Sequence, residues 1–429
     1  MRLLILLPFA PRLDAASGGA RVITQFLTEI CSRHTVAILH FREENEPGAD
    51  SFFRSRCDRV EEVVRPASKR SLGARLTRYL HLILSLLLQR PLGVGDWTSQ
   101  SFAKQVERLA REFRPDIIQA EFHVMGQYFS PLENIQARRV LVEYEPSARA
   151  ALYLQNLPRV LHNWTERMEK ISWQRYERDV YSQVDAIVTF TEADRNSILE
   201  TAGRTSIHII SPGTVIPQDS LNPVGNPPLS LLFVGNFYHS PNADAARRLV
   251  ESIFPGVVKL LPETRLFIVG ENPPLSLNLA THENITITGR VPAVTPYLDR
   301  AALVVAPLRL GGGMRIKILE ALAAGKAVVT TSLAVQGLGI QDGEQLAIAD
   351  TDDEFIAHIV QLLRSPEKRL ALAEHARVWA CQHLTWQASV EKFEDLYQEL
   401  LTRSVRSDWQ SITTLSSKSP EPPVLTQKG

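Results

Sequence analysis

The chain has 429 residues, of which 44% are hydrophobic and 22% charged, and its 47 basic side chains equal its 47 acidic ones in number. This length exceeds what one hydrophobic core usually serves, so we expect two domains. The balanced charge gives no support for nucleic-acid binding. The sequence contains no run of roughly 18 or more uncharged apolar residues, so it predicts no membrane span.

The cysteines are scattered along the chain and lack the spacing of a zinc site; they are Cys31, Cys57 and Cys381. They predict a reduced, cytoplasmic protein without a disulfide framework. The first nine residues contain an apolar run of only about seven residues before a polar loop. This pattern favours a buried first strand over a signal peptide.

In the first half of the chain, short apolar runs alternate with helical patterns. We predict strands at Leu3 to Phe9, Thr35 to Phe41, Val60 to Val64, Ile117 to Ala120, Val140 to Val142, Ala186 to Phe190 and Ile207 to Ile210. Helical patterns cover Ala20 to Ser32, Ser101 to Glu112 and Asn163 to Tyr181. This alternation is typical of a parallel sheet covered on both faces.

The pattern breaks between Ser211 and Pro228, where prolines and glycines indicate a linker. It then restarts with strands at Leu229 to Phe237, Arg265 to Gly270, Ile285 to Gly289, Leu303 to Pro307, Ala327 to Thr331 and Gln345 to Ile348. The predicted helices of this half are Asn242 to Leu261, Arg315 to Ala324, Asp353 to Leu363 and Glu367 to His383. The two halves therefore predict two doubly wound α/β domains in series.

The domain boundaries follow from these patterns. We predict an N-terminal domain over residues 1–213, a linker over 214–228 and a C-terminal domain over 229–385. Residues 386–404 predict a further helix that crosses back to the N-terminal domain. The polar, aperiodic residues 405–429 predict a disordered tail.

The segment from Ala306 to Thr331 carries the clearest functional signal. A strand runs into three consecutive glycines, Gly311 to Gly313, and a helix with Arg315 and Lys317 in its first turn follows at once. Glycines let the backbone approach a ligand closely, and a helix start favours an anion. Two cations there oppose the helix dipole, at a cost of roughly 0.3–1 kcal/mol each. The segment therefore predicts a binding site for a phosphorylated ligand.

Three segments of the second half, in this order, resemble the GT-B glycosyltransferases, and most closely the large group with retaining, nucleotide-sugar-dependent members (family 4, group 1). They begin FVGNFYHSPNADAARRLVE, ITITGRVPAV and GGGMRIKILEALAAGK. The resemblance extends over nearly the whole chain up to about Ser404. It implies two Rossmann-like domains facing a cleft, with the nucleotide-sugar donor bound mainly by the second domain and the acceptor by the first.

The resemblance also implies residue roles. Glu320 would hold the ribose hydroxyls, and Arg315 and Lys317 would neutralise the leaving diphosphate. The other residues implied in donor binding are Asn236, Gly289, Arg290, Arg309, Gly311, Gly312 and Gly313. On the acceptor side, the cleft would be lined by Gly18, Gly19, His123 and Glu143.

The chain departs from the family pattern at three places. Gly312 occupies the position of a glutamate that most members carry eight residues before the one matching Glu320. Asn236 and His239 lie where an arginine and a lysine are usual, and a segment with Glu143 and Glu145 replaces the histidine after the fifth strand. Members with PN-x-DA after the first donor strand, here Pro241 to Ala245, share the first two losses and carry cations on the donor helix instead. Arg315 and Lys317 are therefore expected to replace the missing pair.

The expected function is transfer of a sugar from a nucleotide-diphosphate donor to an acceptor hydroxyl of a polysaccharide or a lipid-linked sugar, with no cofactor and no metal. Two alternatives stay open: a nucleotide-sugar 2-epimerase on the same fold, and an inactive nucleotide-sugar-binding subunit. The run Asp350, Asp352 and Asp353 is interpreted as a helix cap rather than a metal site. The basic and leucine-rich segment from Ser71 to Gln89 is either a core helix or a peripheral contact with the inner face of the membrane.

Overall fold

The computed structural model describes residues 1–15, 18–65, 90–132, 134–144, 146, 162–227, 229–274, 277, 283–311 and 315–403. The predicted Ser71 to Gln89 segment, Glu145, Gly312, Gly313 and the predicted tail lie outside the described residues. Within the described part, every helix is too short or too polar to cross a lipid bilayer.

The described strands form two parallel sheets. The first contains β1 (Arg2–Leu7), β2 (Thr35–Glu43), β3 (Arg59–Arg65), β4 (Ile117–Glu121), β5 (Arg138–Val142), β6 (Ala186–Thr189) and β7 (Ser206–Ile209), in the order 3-2-1-4-5-6-7. The second contains β8 (Ser230–Val234), β9 (Arg265–Val269), β10 (Ile285–Gly289), β11 (Leu303–Ala306), β12 (Val328–Thr330) and β13 (Ala347–Ile348), in the order 10-9-8-11-12-13. Both orders are those of doubly wound folds, which confirms the predicted fold class.

The helices lie between these strands. They are α1 (Gly18–Arg33), α2 (Ser51–Arg56), α3 (Leu92–Gly95), α4 (Gln100–Phe113), α5 (His162–Ser182), α6 (Glu192–Ala202), α7 (Ser240–Arg248), α8 (Phe254–Leu260), α9 (Thr295–Arg300), α10 (Ile316–Ala323), α11 (Asp352–Arg364), α12 (Pro366–His383) and α13 (Trp386–Thr402). Short 3₁₀ segments cover His123–Leu132 and Ser332–Val335. The short helices α2, α3 and α9 were not among the helical patterns read from the sequence, because they span only four to six residues.

The predicted single helix from Asn242 to Leu261 is interrupted in the structure. A π-helical turn, Leu249–Ile253, separates α7 from α8, and the backbone N–H of Phe254 bonds to the carbonyl of Leu249. Pro255 lies at the start of α8 and has no N–H to donate. The regular bond to the fourth residue before it is therefore lost, and the helix widens locally.

The first sheet is buried on both faces. Leu3, Ile5 and Leu7 of β1 belong to one apolar cluster, and Leu4 and Leu6 belong to the cluster on the opposite face. All five side chains are essentially inaccessible to solvent. The strand therefore reads as a continuous apolar run instead of an alternating one, as expected for a parallel sheet between two helical layers.

Helix α13 packs on the N-terminal sheet although it follows the C-terminal sheet in sequence. Its buried side chains Val390, Phe393 and Leu396 join the same cluster as Phe26 of α1. The rings of Phe26 and Phe393 lie 4.9 Å apart. The last described helix thus contributes to the core of the first domain.

Buried and half-buried cations attach the predicted linker to the C-terminal half. Arg377 donates to the carbonyls of Pro217 and Gln218, and Arg369 to that of Val224. Lys326 contacts the carbonyl of Asn222, and burial lowers its pKa to about 8. The chain between the two sheets therefore follows the surface of the second one.

Candidate functional site

The candidate site lies where the two domains face each other. Strands β8 and β11 are neighbours in the second sheet, and the connections after them run in opposite directions. This reversal creates a crevice at the carboxyl ends of the strands, where ligands bind in open α/β sheets. A Cβ atom added to Gly18, the first residue of α1, would lie 3.8 Å from Ile316 at the start of α10. The starts of these two helices therefore meet across the cleft.

The segment between β11 and α10 is shaped by Gly311 and Arg315. Gly311 has a φ of +92°, which disfavours any residue with a side chain. Arg315 lies immediately before α10, one residue outside its predicted place in the first helical turn. Its side chain is buried, and its Nη2 donates to the carbonyl of Leu310 at 3.3 Å. A charged guanidinium is thus held at the start of the helix.

Lys317 lies in the first turn of α10, as predicted. Its Nζ donates to Oδ1 of Asn242 at 2.5 Å and lies 4.8 Å from the centre of the Phe233 ring. Asn242 belongs to the PN-x-DA motif, so this motif directly contacts the donor helix. The ammonium group is thus held between an amide and an aromatic face at the start of the helix.

Glu320 is held by a residue from the other domain. Nη1 of Arg21, in α1, donates to Oε1 of Glu320 at 2.6 Å. Burial raises the pKa of the Glu320 carboxyl, while the charges of Arg21 and Lys317 act in the opposite direction. The carboxylate predicted to bind ribose therefore has a protein partner across the cleft.

Two further residues of the predicted donor site, Arg309 and Asn236, lie on neighbouring loops. Arg309 forms a two-point ion pair with Asp244, at 2.8 and 3.0 Å, instead of extending freely into the crevice. Oδ1 of Asn236 accepts from the backbone N–H of Tyr238, and its carbonyl accepts from Asn242. These side chains brace the loops after β8 and β11.

The predicted base-side residues lie at the end of β10. Gly289 has a φ of +68°, and nothing lies within 4 Å of the position where a Cβ atom would be. Arg290 is largely exposed, with Glu271 4.0 Å away. Its charge is one cause of a lowered pKa at Asp14 of the β1–α1 loop, after the hydrogen bond from Arg12. Arg290 therefore lies near the mouth of the cleft.

On the N-terminal side, the structure places the predicted residues at different depths. A Cβ atom at Gly19 would approach Phe122 to 2.8 Å, so glycine is needed where α1 crosses this ring. His123 is buried with its ring against Trp173, and the carboxylate of the fully buried Glu143 accepts from the Tyr181 hydroxyl at 2.9 Å. His123 and Glu143 are thus buried among side chains of the first domain, and their place on the acceptor side stays a prediction.

Arg21 and Glu121 are two charged residues of the first domain that the sequence did not predict. Arg21 is a cation in the first turn of α1, the same departure from the helix-dipole preference that drew attention to Lys317. Glu121 ends β4 and accepts from Gln119 at 2.6 Å and from the Tyr144 hydroxyl at 2.8 Å. Burial raises its pKa to about 7. Two polar residues, Gln119 and Glu121, in a strand that is buried throughout were the available signal.

The acidic run after β13 has protein partners. The cap of α11 is Thr351, which forms a capping box with Glu354, so the predicted aspartate cap is wrong in its detail. Asp350 accepts from Ser332, and Asp352 pairs with Arg248 at 2.6 Å. In the described part of the chain, no three His, Cys, Asp or Glu side chains are grouped so that they could hold a metal.

Comparison with known proteins agrees with this architecture. Residues 228–365 match the model of the family described as Glycosyl transferases group 1. A 44.6 kDa protein from the cps region of Klebsiella pneumoniae is 26% identical over 140 residues, which are 30% of this chain and 36% of that protein. An exopolysaccharide phosphotransferase of Streptomyces coelicolor is 25% identical over 231 residues, 51% of this chain and 24% of that protein. The chain thus spans about a third of the length of the first relative and about a quarter of the length of the second.

Solved structures share the fold over nearly the whole chain. Sucrose-phosphate synthase from Thermosynechococcus elongatus has a TM-score of 0.68 at 14% identity, covering 94% of this chain and all of that one. Anabaena HepE in complex with UDP has a TM-score of 0.64 at 12% identity, covering 93% of this chain and 100% of that one. WaaG, a glycosyltransferase involved in lipopolysaccharide biosynthesis, has a TM-score of 0.60 at 15% identity, covering 92% of this chain and 99% of that one. The family match and the shared fold confirm the resemblance to group 1 glycosyltransferases of the GT-B fold.

Proposed function

We propose that the chain transfers a sugar from a nucleotide-diphosphate sugar to an acceptor hydroxyl, with retention of anomeric configuration. The observation that carries this proposal is the group of Arg21, Arg315, Lys317 and Glu320 at the facing starts of α1 and α10. Positive charge is in excess there, and a helix start adds to it. The UDP complex of HepE, which has the same fold, supports a nucleotide donor for this chain.

The chemical work of such a site is to stabilise the leaving group. Negative charge grows on the diphosphate as the glycosidic bond breaks, and Arg315 and Lys317 would neutralise it. Glu320 would fix the ribose, and the first domain would position the acceptor hydroxyl against the sugar. These cations supply the charge that a metal ion would otherwise bring, so the proposal includes no cofactor.

The proposed setting is the assembly of a surface polysaccharide or glycolipid. It is supported by the two sequence relatives, whose names refer to a cps region and an exopolysaccharide, and by the structural neighbour WaaG, which is involved in lipopolysaccharide biosynthesis. The acceptor would then be a growing polysaccharide or a lipid-linked sugar, and a peripheral contact with the inner face of the membrane would bring the chain to it. Flotation with anionic liposomes tests that contact, and a chain that stays with the unbound fraction rules it out.

The activity itself is tested by turnover. A panel of nucleotide sugars is first screened for a rise in melting temperature, because a ligand that binds the native state stabilises it. The stabilising donors are then incubated with acceptor extracts, and released nucleoside diphosphate is measured. We expect release that depends on the acceptor. Conversion of the donor to an epimer without acceptor would instead identify an epimerase, and binding without release under any condition would identify a binding subunit.

A further inference from the structure

The contact between Arg21 and Glu320 joins residues that are 299 positions apart and lie in different domains. The side chains of Arg21 and Glu320 are only 31% and 23% exposed, so water competes weakly for the pair. The neighbouring approach of Gly18 to Ile316 shows that the two helices are packed at this point. The pair is therefore part of the surface along which the domains meet.

Arg21 has two effects on the Glu320 carboxylate. Its positive charge opposes the burial that would otherwise favour the protonated acid, and Lys317 on the same helix as Glu320 adds to this. Its hydrogen bond also fixes the orientation of the carboxylate through Oε1. A carboxylate has a second oxygen with its own acceptor sites, so the pair leaves Glu320 able to accept hydroxyl groups.

We infer that Arg21 is a positioning residue for ribose recognition, because it holds Glu320 from the opposite domain. Selection of ribose over 2′-deoxyribose then depends on the contact between the two domains. The inference rests on the proposed function, in which Glu320 receives the ribose hydroxyls. It assigns to the first domain a share in donor selection. Nucleotide binding on the second domain is thereby coupled to the approach of the first.

The test compares two ligands on the full chain by calorimetric titration: a ribonucleoside diphosphate chosen from a thermal screen and its 2′-deoxy counterpart. We expect the unmodified chain to prefer the ribonucleotide by about 10-fold or more, the contribution of a hydrogen bond to a charged group. Arg21→Met should reduce this preference to about 3-fold or less and leave affinity for the 2′-deoxy ligand nearly unchanged. Arg21→Lys, which restores the charge without the planar geometry, should lie between the two.

Two controls separate positioning from general damage. Arg33 lies on the same helix and pairs with Glu394 at 3.0 Å with similar exposure, but far from the cleft. Arg33→Met should keep the full ribose preference. In a Glu320→Gln background, Arg21→Met should cause no further loss of preference, since its route through Glu320 is gone.

Several results would overturn the inference. Full ribose preference in Arg21→Met, or an equal loss for both ligands in properly folded Arg21→Met and Arg21→Lys, would show that Arg21 does not act through Glu320. A preference that still falls in the Glu320→Gln background would show the same. If the unmodified chain binds no nucleoside diphosphate at all, the proposed function itself fails. If it binds them without regard to the 2′-hydroxyl, only the inference about Arg21 fails.

Discussion

Arg315 shows how a single side chain links the local fold to the proposed chemistry. It is one of the few cations in the described chain whose side chain is buried, and it lies where the backbone turns from Gly311 into α10. Burying a charge costs free energy, so the surrounding fold must hold this guanidinium in place. A diphosphate bound at the helix start would form charge-assisted hydrogen bonds with it.

Arg315→Ala should therefore weaken binding of a nucleoside diphosphate by about 10- to 100-fold, the contribution of hydrogen bonds to a charged group. Binding of the corresponding nucleoside should change little, because the nucleoside lacks the phosphates. Calorimetric titration of both ligands measures the difference. Arg364→Ala, at an exposed arginine of the same domain, is the control and should affect neither. Equal losses for nucleoside and nucleoside diphosphate would contradict the assignment of Arg315.

Glu121 gives a prediction about stability and pH. Its folded-state pKa of about 7 is above the ordinary value of 4.5, so the folded chain holds this proton more tightly than the unfolded chain. Stability is therefore intact below pH 4.5 and is lost as the pH rises towards 7, by about 3 kcal/mol in total. Glu121→Gln should remove this loss.

Melting temperatures at pH 5 and pH 8 check the effect of Glu121→Gln. The unmodified chain should lose more stability between these two values than the variant does. Glu374→Gln, at an exposed glutamate of α12, should behave like the unmodified chain. Identical pH dependence in the Glu121 variant and the unmodified chain would show that the buried carboxyl does not limit stability.

At the scale of elements, the start of α7 braces the segment between β11 and α10. Pro241 packs against Gly311, Asn242 accepts from Lys317, and Asp244 pairs with Arg309. The resemblance identified the PN-x-DA motif as a mark of a subgroup and gave it no role. The structure supplies one: Asn242 and Asp244 of this motif contact Lys317 and Arg309, which lie on either side of the glycine run.

Gly311→Ala should disturb this bracing. An added Cβ would meet Pro241 at 2.9 Å and Arg315 at 3.1 Å, and the positive φ by itself costs roughly 1–2 kcal/mol. Gly343→Ala is a matched control, because Gly343 also has a positive φ, of +76°, but nothing lies within 4 Å of its Cβ position. Melting temperature and nucleotide affinity should both fall further in the Gly311 variant. Equal effects of the two substitutions would show that the contact with Pro241 carries no weight.

The sequence predicted most strands and long helices because their apolar patterns are set by burial on a parallel sheet. It predicted that Lys317 and Glu320 lie on the helix after the glycine run, and it placed Arg315 within one residue of its position, because a glycine run followed by cations is a local signal. It could not predict Arg21 as the partner of Glu320 or Asp244 as that of Arg309, since these pairs depend on how distant segments pack. Nor could it show that His123 and Glu143 are buried, because both follow strands whose ends open equally well into a cleft or a core.

At the scale of the whole molecule, two short crossings connect the halves. Thr214 pairs with Thr385, and the N–H of Thr214 donates to the carbonyl of Leu384 at 2.8 Å. Ser389 of α13 donates to the carbonyl of Ser211. The chain thus leaves the first domain and returns to it at adjacent positions.

The return of α13 should matter for the stability of the first domain. Phe393→Ala removes a buried ring that packs on Phe26, and comparable truncations of buried phenylalanines cost about 3–5 kcal/mol. Leu401→Ala, at an exposed position of the same helix, is expected to cost little. Thermal unfolding compares the two variants. A Phe393 variant as stable as the Leu401 variant would contradict the packing of α13 on the N-terminal sheet.

The central claim is that a nucleotide diphosphate binds where α10 begins, with its ribose at Glu320. A crystal structure of the chain with a stabilising nucleoside diphosphate tests this most directly. We expect the diphosphate within hydrogen-bonding distance of Arg315 and Lys317 and the ribose hydroxyls on Glu320, with Arg21 still facing that carboxylate. A nucleotide bound elsewhere, or one whose phosphates touch none of these cations, would contradict the account.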